Sequence, residues 1–99
     1  MKIKTSTEFK KSMSLTEPPV GLSLYKKAIW HAGKGDWEKA HDIVQDMNDQ
    51  PSALIHAFLH RQEGDLSNAR YWYDRAGSRI PSISLDEEWE ELLAKFLTG

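Results

Sequence analysis

There is no cysteine among the 99 residues, so neither a disulfide framework nor a thiolate metal site is available. No apolar run approaches membrane-spanning length, and the opening stretch MKIKTSTEFKKSMSL has lysines without the apolar core of a signal peptide. The chain is accordingly expected to work in the cytoplasm, with no membrane partner. Basic charge is not in excess either. The 13 Lys and Arg against 15 Asp and Glu leave a net charge of −2, which argues against a general nucleic-acid binder. Also missing are the Gly-rich phosphate loop, the Gly-x-Ser-x-Gly elbow and the His-Glu-x-x-His zincin signature. On these grounds no catalytic residue, cofactor or metal is assigned, and a non-enzymatic role is favoured.

What is present is a duplication. Residues 28–44, AIWHAGKGDWEKAHDIV, align with 57–73, AFLHRQEGDLSNARYWY, at an offset of 29. Ala28/Ala57, His31/His60, Gly35/Gly64, Asp36/Asp65 and Ala40/Ala69 coincide. In each copy the glycine supplies the left-handed residue that ends one helix, and the aspartate caps the next. Trp37, Ala40, Val44 and Met47 then follow the spacing of one buried stripe, which Leu66, Ala69, Tyr73 and Ala76 repeat in the same phase. Pro51 fits the first turn of a third helix, and Gly77 stops a fourth. Ser84 and Glu87 have the spacing of a capping box, opening a last helix with the stripe Leu85, Trp89, Leu92, Leu93 and Phe96.

The pattern predicts an all-α domain over 22–99, with helices at about 22–34, 36–48, 51–63, 65–77 and 84–97 and no strands. Residues 1–21 read as a largely irregular arm, with room for a short helix around 7–13 before the break at Glu17-Pro18-Pro19-Val20-Gly21. Lys2, Lys4, Lys10 and Lys11 make the arm basic, while Asp86, Glu87, Glu88, Glu90 and Glu91 make the last helix acidic. Both groups are expected in solvent; the sharper alternative is that the arm folds onto the acidic helix.

The duplicated unit resembles the tetratricopeptide repeat, with a flavour of the Sel1-like repeats. The likeness is carried by Gly35-Asp36-Trp37-Glu38-Lys39-Ala40, by Gly64-Asp65-Leu66-Ser67-Asn68-Ala69, and by Tyr73, Ala76 and Pro81. It covers about 22–81 and implies two helix–turn–helix units closed by a C-terminal capping helix. Departures are the spacing of 29 instead of 34, which shortens the second helix or its exit, and histidine where such units have an aromatic on the first helix. The whole string is also similar to a group of small, mostly bacterial proteins without an assigned activity, a likeness that implies no reaction.

The resemblance implies a protein- or peptide-binding module that uses the wall formed by helices one and three. Its candidate contact residues are Tyr25, Ile29, Leu54, Phe58, Arg61 and Gln62. Such a wall is apolar, and the last helix, a second copy of the chain or a partner helix is expected to cover it. The last helix is the simplest of the three. Arg61 is expected at the surface, where Arg61→Glu would weaken partner capture without unfolding the domain. Arg70, Arg75 and Arg79, interleaved with Tyr71, Trp72 and Tyr73, read as a solvent face.

A competing expectation is a small-molecule site or an enzyme with a histidine-lined pocket between helices one, three and four, made by His31, His56, His60 and Tyr73. His56 and His60 stand one helical turn apart with Glu63 on the same side, a spacing able to chelate a metal. One such pair is a weak signal, and a structural, inward-facing role is the plainer reading. His41 has no counterpart, since Arg70 takes its place, and is expected exposed or half-exposed.

Overall fold

Six α-helices and no strand make up residues 5–98, the part of the chain that the computed structural model describes. They are α1 (Ser6–Ser12), α2 (Leu24–Gly33), α3 (Trp37–Val44), α4 (Gln50–Gln62), α5 (Leu66–Ala76) and α6 (Leu85–Thr98). The five helices read from periodicity are α2 to α6. None of the described helices is long and apolar enough to cross a membrane.

The duplicated sequence makes a duplicated turn. Gly35 and Gly64 have φ of 80° and 88°, and Asp36 and Asp65 follow at φ, ψ of −96°, 76° and −91°, 81°. In each copy the aspartate N–H donates to the carbonyl of the histidine five residues back, His31 or His60, at 2.9 Å. Each aspartate side chain accepts from a backbone N–H of the next helix, that of Lys39 or Asn68. A non-glycine residue would be strained at that φ, so both glycines are dictated by the backbone.

Helix α3 is shorter than its sequence window, ending at Val44 where periodicity continued to 48. Its eight residues against the eleven of α5 account for part of the compressed spacing between the copies. Helix α2 begins at Leu24 because Ser23 caps it, and α4 is capped by Asp49 with proline in its first turn.

The arm is where the sequence expectation changes. Thr5 and Glu8 form a capping box that starts α1, and Lys10 and Lys11 close it at the negative end of the helix dipole. Phe9 is fully buried, its ring 6.2 Å from that of Trp89. The Trp30 indole N–H donates to Ser12 Oγ at 3.1 Å, and Lys34 Nζ donates to the carbonyls of Met13 and Leu15. Lys10 also pairs with Glu90 of α6. Phe9 and Ser12 are therefore part of the buried interior, and the arm does fold onto the acidic helix, while most other residues of 5–21 stay exposed; Lys2 and Lys4 lie outside the described residues.

Helix α6 lies across α2 and α4 and covers the wall they form. Ile29, Phe58, Leu92 and Leu93 share one buried cluster, and the Trp89 indole donates to the Ile29 carbonyl at 2.9 Å. Gly33 leaves room for side chains from both sides: a Cβ there would run into Cε of Met13 and lie 2.7 Å from Cζ2 of Trp89. Small residues do the same between α4 and α5, where Ala57 and Ala69 are fully buried beside Tyr73.

Candidate functional site

Three imidazoles meet between α3 and α4. Helix α3 runs against α4 and presents His41, the residue one turn beyond Trp37. Helix α4 presents His56 and His60, also one turn apart. The Nε2 atoms of His41 and His56 are 3.1 Å apart, and the ring centres of His56 and His60 are 4.8 Å apart. Behind His60, Glu63 Oε1 lies 2.7 Å from Nδ1. That contact holds the proton on Nδ1 and leaves Nε2 as the lone-pair side of the ring.

Two tryptophans wall the cluster. Trp37 stacks on His41 with ring centres 4.6 Å apart and planes 10° apart. Trp72, from α5, stacks on His56 at 3.9 Å and 14°. Trp37 is itself fixed, because its indole N–H donates to the Leu59 carbonyl. The guanidinium of Arg75 lies over the outer face of the Trp72 system at 5.3 Å.

Burial governs the protonation of these rings. His56 is only 4% exposed, and burial, followed by the neighbouring His41 and His60, lowers its pKa to about 4. His41 is lowered as well, chiefly by burial and then by His60, with Asp42 and Glu63 acting the other way. At neutral pH both are neutral imidazoles with lone pairs to offer. His56 Nδ1 is buried without a hydrogen-bond partner, an unusual cost for a polar atom in a core.

His31 stands apart. It is buried on α2 with its ring edge-on to Trp30, and its charged neighbours are Asp36, Lys39, Glu17 and Lys27, none of them on α4. The two histidines that coincide in the sequence thus have different surroundings. His60 faces Trp37 and His41 of α3, whereas the one arm residue among the charged neighbours of His31 is Glu17. Half-buried His41 takes the place in the cluster that His31 was expected to fill.

Tyr73 belongs to a second polar group. Its hydroxyl donates to Glu88 Oε2 at 2.6 Å, and burial together with that carboxylate raises its pKa strongly. Arg61 Nη1 donates to the other Glu88 oxygen at 2.8 Å, and Nη2 donates to the Ile83 carbonyl. Glu88 is 3% exposed and Arg61 half-buried, so this largely buried ion pair joins α4 to α6, with Tyr73 of α5 as its third member. The expectation that Arg61 stands at a replaceable surface is corrected by this pairing: Arg61→Glu would set two carboxylates against each other in the interior.

The remaining wall residues divide between core and rim. Ile29 and Phe58 are buried beneath α6, and Leu54 and Gln62 are half-buried. Tyr25, also half-buried, donates its hydroxyl to Asp49 and packs its ring on Phe96. A cleft of about 500 Å3 remains open between the arm, the end of α2 and α6, lined in part by Met13, Gly33, Phe58, Gln62 and Trp89.

Sequence reasoning missed His41, Trp37 and Trp72 as members of one site. The available signal was His41 standing one helical turn beyond Trp37, the first residue of the apolar stripe of α3. Comparison of the chain with protein-family models, with curated proteins and with solved structures finds no match.

Proposed function

We propose that the chain is a small ligand-binding protein whose seat is the imidazole cluster of His41, His56 and His60. The observation that carries this reading is the convergence of three buried or half-buried histidines from two helices, with a tryptophan face on either side. A core that needed only filling would do better with apolar side chains, since each buried ring nitrogen must be satisfied. Under this reading the helical pairs α2–α3 and α4–α5 are two tetratricopeptide-like units, closed by α6. The near-identical backbone angles of their two turns support that assignment. The scaffold then serves to hold α3, α4 and α5 at fixed separation around the rings.

A protein- or peptide-binding role keeps one support, the cleft of about 500 Å3 beside Trp89. A single experiment separates the two readings. Nuclear magnetic resonance of the imidazole and indole signals would be followed while adding zinc, phosphate, acetate and amphipathic helical peptides in turn. A seat at the cluster predicts that at least one of the small ligands shifts His41, His56 and His60 together and leaves Trp89 in place. Peptide shifts confined to Trp89 and its neighbours, with the imidazole signals static throughout, would replace the first reading by the second.

A further inference from the structure

We infer that the cluster is a seat for a zinc-type divalent ion, with His41, His56 and His60 as protein ligands and Glu63 holding His60 from behind. This rests on the reading of the cluster as a ligand seat and names the ligand. One donor nitrogen from each of the three rings falls within 4.8 Å of the others. In a tetrahedral site with Zn–N bonds of 2.0–2.1 Å, neighbouring nitrogens are about 3.3 Å apart. The 3.1 Å between His41 and His56 is already close to one edge of that tetrahedron. His56 and His60 stand one turn apart on a continuous helix, so both rings meet His41 from the same side of α4.

Donor chemistry selects the ion. Magnesium and calcium take oxygen ligands, whereas imidazole suits zinc and the later first-row metals. Two neutral rings facing each other through Nε2 can share only one hydrogen, and an ion takes the place of that hydrogen and uses both lone pairs. Glu63 supplies the carboxylate–histidine–metal arrangement that fixes the tautomer of a ligand ring. Structural zinc sites have four protein ligands, and three here leave a position for water or an added ligand. His60, Glu63 and Asp65 make a second possible set, but both carboxylates are exposed and Asp65 is engaged as the cap of α5.

The test uses the full chain stripped of metal with a chelator. Zinc is added in a calorimeter and cobalt is followed by visible absorption, with circular dichroism checking that each variant is folded. The expected result is one ion per chain, with the intense visible bands of four-coordinate cobalt. E63Q should weaken zinc binding by roughly 10–100-fold, H41A should weaken it further, and H31A should bind as the wild type does. Wild-type affinity in H41A overturns the assignment. So does a loss in H31A equal to that in H41A, or a loss in D65N without one in H41A. If zinc and cobalt leave the imidazole signals unmoved while phosphate or acetate shifts them, the metal is overturned and the seat retained. If none shifts them, both readings fall.

Discussion

Arg61→Ala is expected to destabilise the fold by about 3–5 kcal/mol, the cost of removing one partner from a buried ion pair. The reason lies in what is left behind. Glu88 is almost fully buried, and without the guanidinium it keeps only the Tyr73 hydroxyl as a donor. The Ile83 carbonyl, which also accepts from Arg61, loses that partner as well. For a domain whose whole stability is of the order of 5–15 kcal/mol, such a loss brings unfolding within reach of mild denaturant.

Because α6 closes both the core and the wall, the loss should release α6 first. Denaturant titration of Arg61→Ala, Glu88→Ala and the double variant measures the coupling. The double variant should lose clearly less than the sum of the two singles, since removing both charges leaves neither one stranded. Additive losses, or a loss under about 1 kcal/mol in Arg61→Ala, would mean that the pair is solvated and that packing alone holds α6.

The second large effect is a stability that falls in acid. The folded pKa of His56 is about 4 against an ordinary value of 6.5, so between those limits the unfolded chain binds more protons than the folded one. Its contribution is complete above about pH 6.5 and is lost as pH falls toward 4. The size is about 3 kcal/mol, from roughly 1.4 kcal/mol for each pH unit between the two values.

The groups facing His56 are His41 from α3, His60 from α4, itself paired with Glu63, and the uncharged Trp72 from α5, over which Arg75 lies. His41 is displaced in the same direction and adds to the same slope. Asp49 is raised by burial but held below the ordinary carboxylate value by the combined hydrogen bonds from Tyr25, Ser52 and the backbone, and loses its contribution only at lower pH. Urea midpoints from pH 7.5 to 4 in metal-free buffer measure the effect. His56→Phe, which keeps an aromatic ring against Trp72, should flatten the slope over that window. A variant as acid-sensitive as the wild type would place the effect elsewhere.

How much of this was legible in the chain can be traced residue by residue. Gly35-Asp36 and Gly64-Asp65 announced two turns, and both formed, because a left-handed glycine and a capping aspartate act within a few residues of each other. Ser84 and Glu87 announced α6 for the same reason. The last turn of α3 was overread, since a stripe that continues through Met47 does not say where the backbone leaves the helix.

The candidate site was half legible. His56 and His60 share one helix, and their common side follows from the 3.6-residue period. His41 is 15 residues from His56 in sequence, and periodicity carries no information about which histidine on another helix will face them. The repeat pointed to His31, because equal positions in two copies suggest equal surroundings. Those surroundings differ because His60 lies against His41 and Trp37 of α3, whereas His31 has Trp30, Asp36, Lys39, Glu17 and Lys27 around it.

By itself, then, the sequence determined the local elements from α2 onward: turns, caps and the phase of each apolar stripe, all written in hydrogen bonds and contacts within a few residues. Tertiary structure alone decided the long-range partnerships: Phe9 under Trp89, Arg61 with Glu88, and His41 with His56 and His60. Such pairs depend on how whole helix faces come to rest against one another. That is a property of side-chain volume and burial summed over the entire core, and no single stretch of the chain contains it.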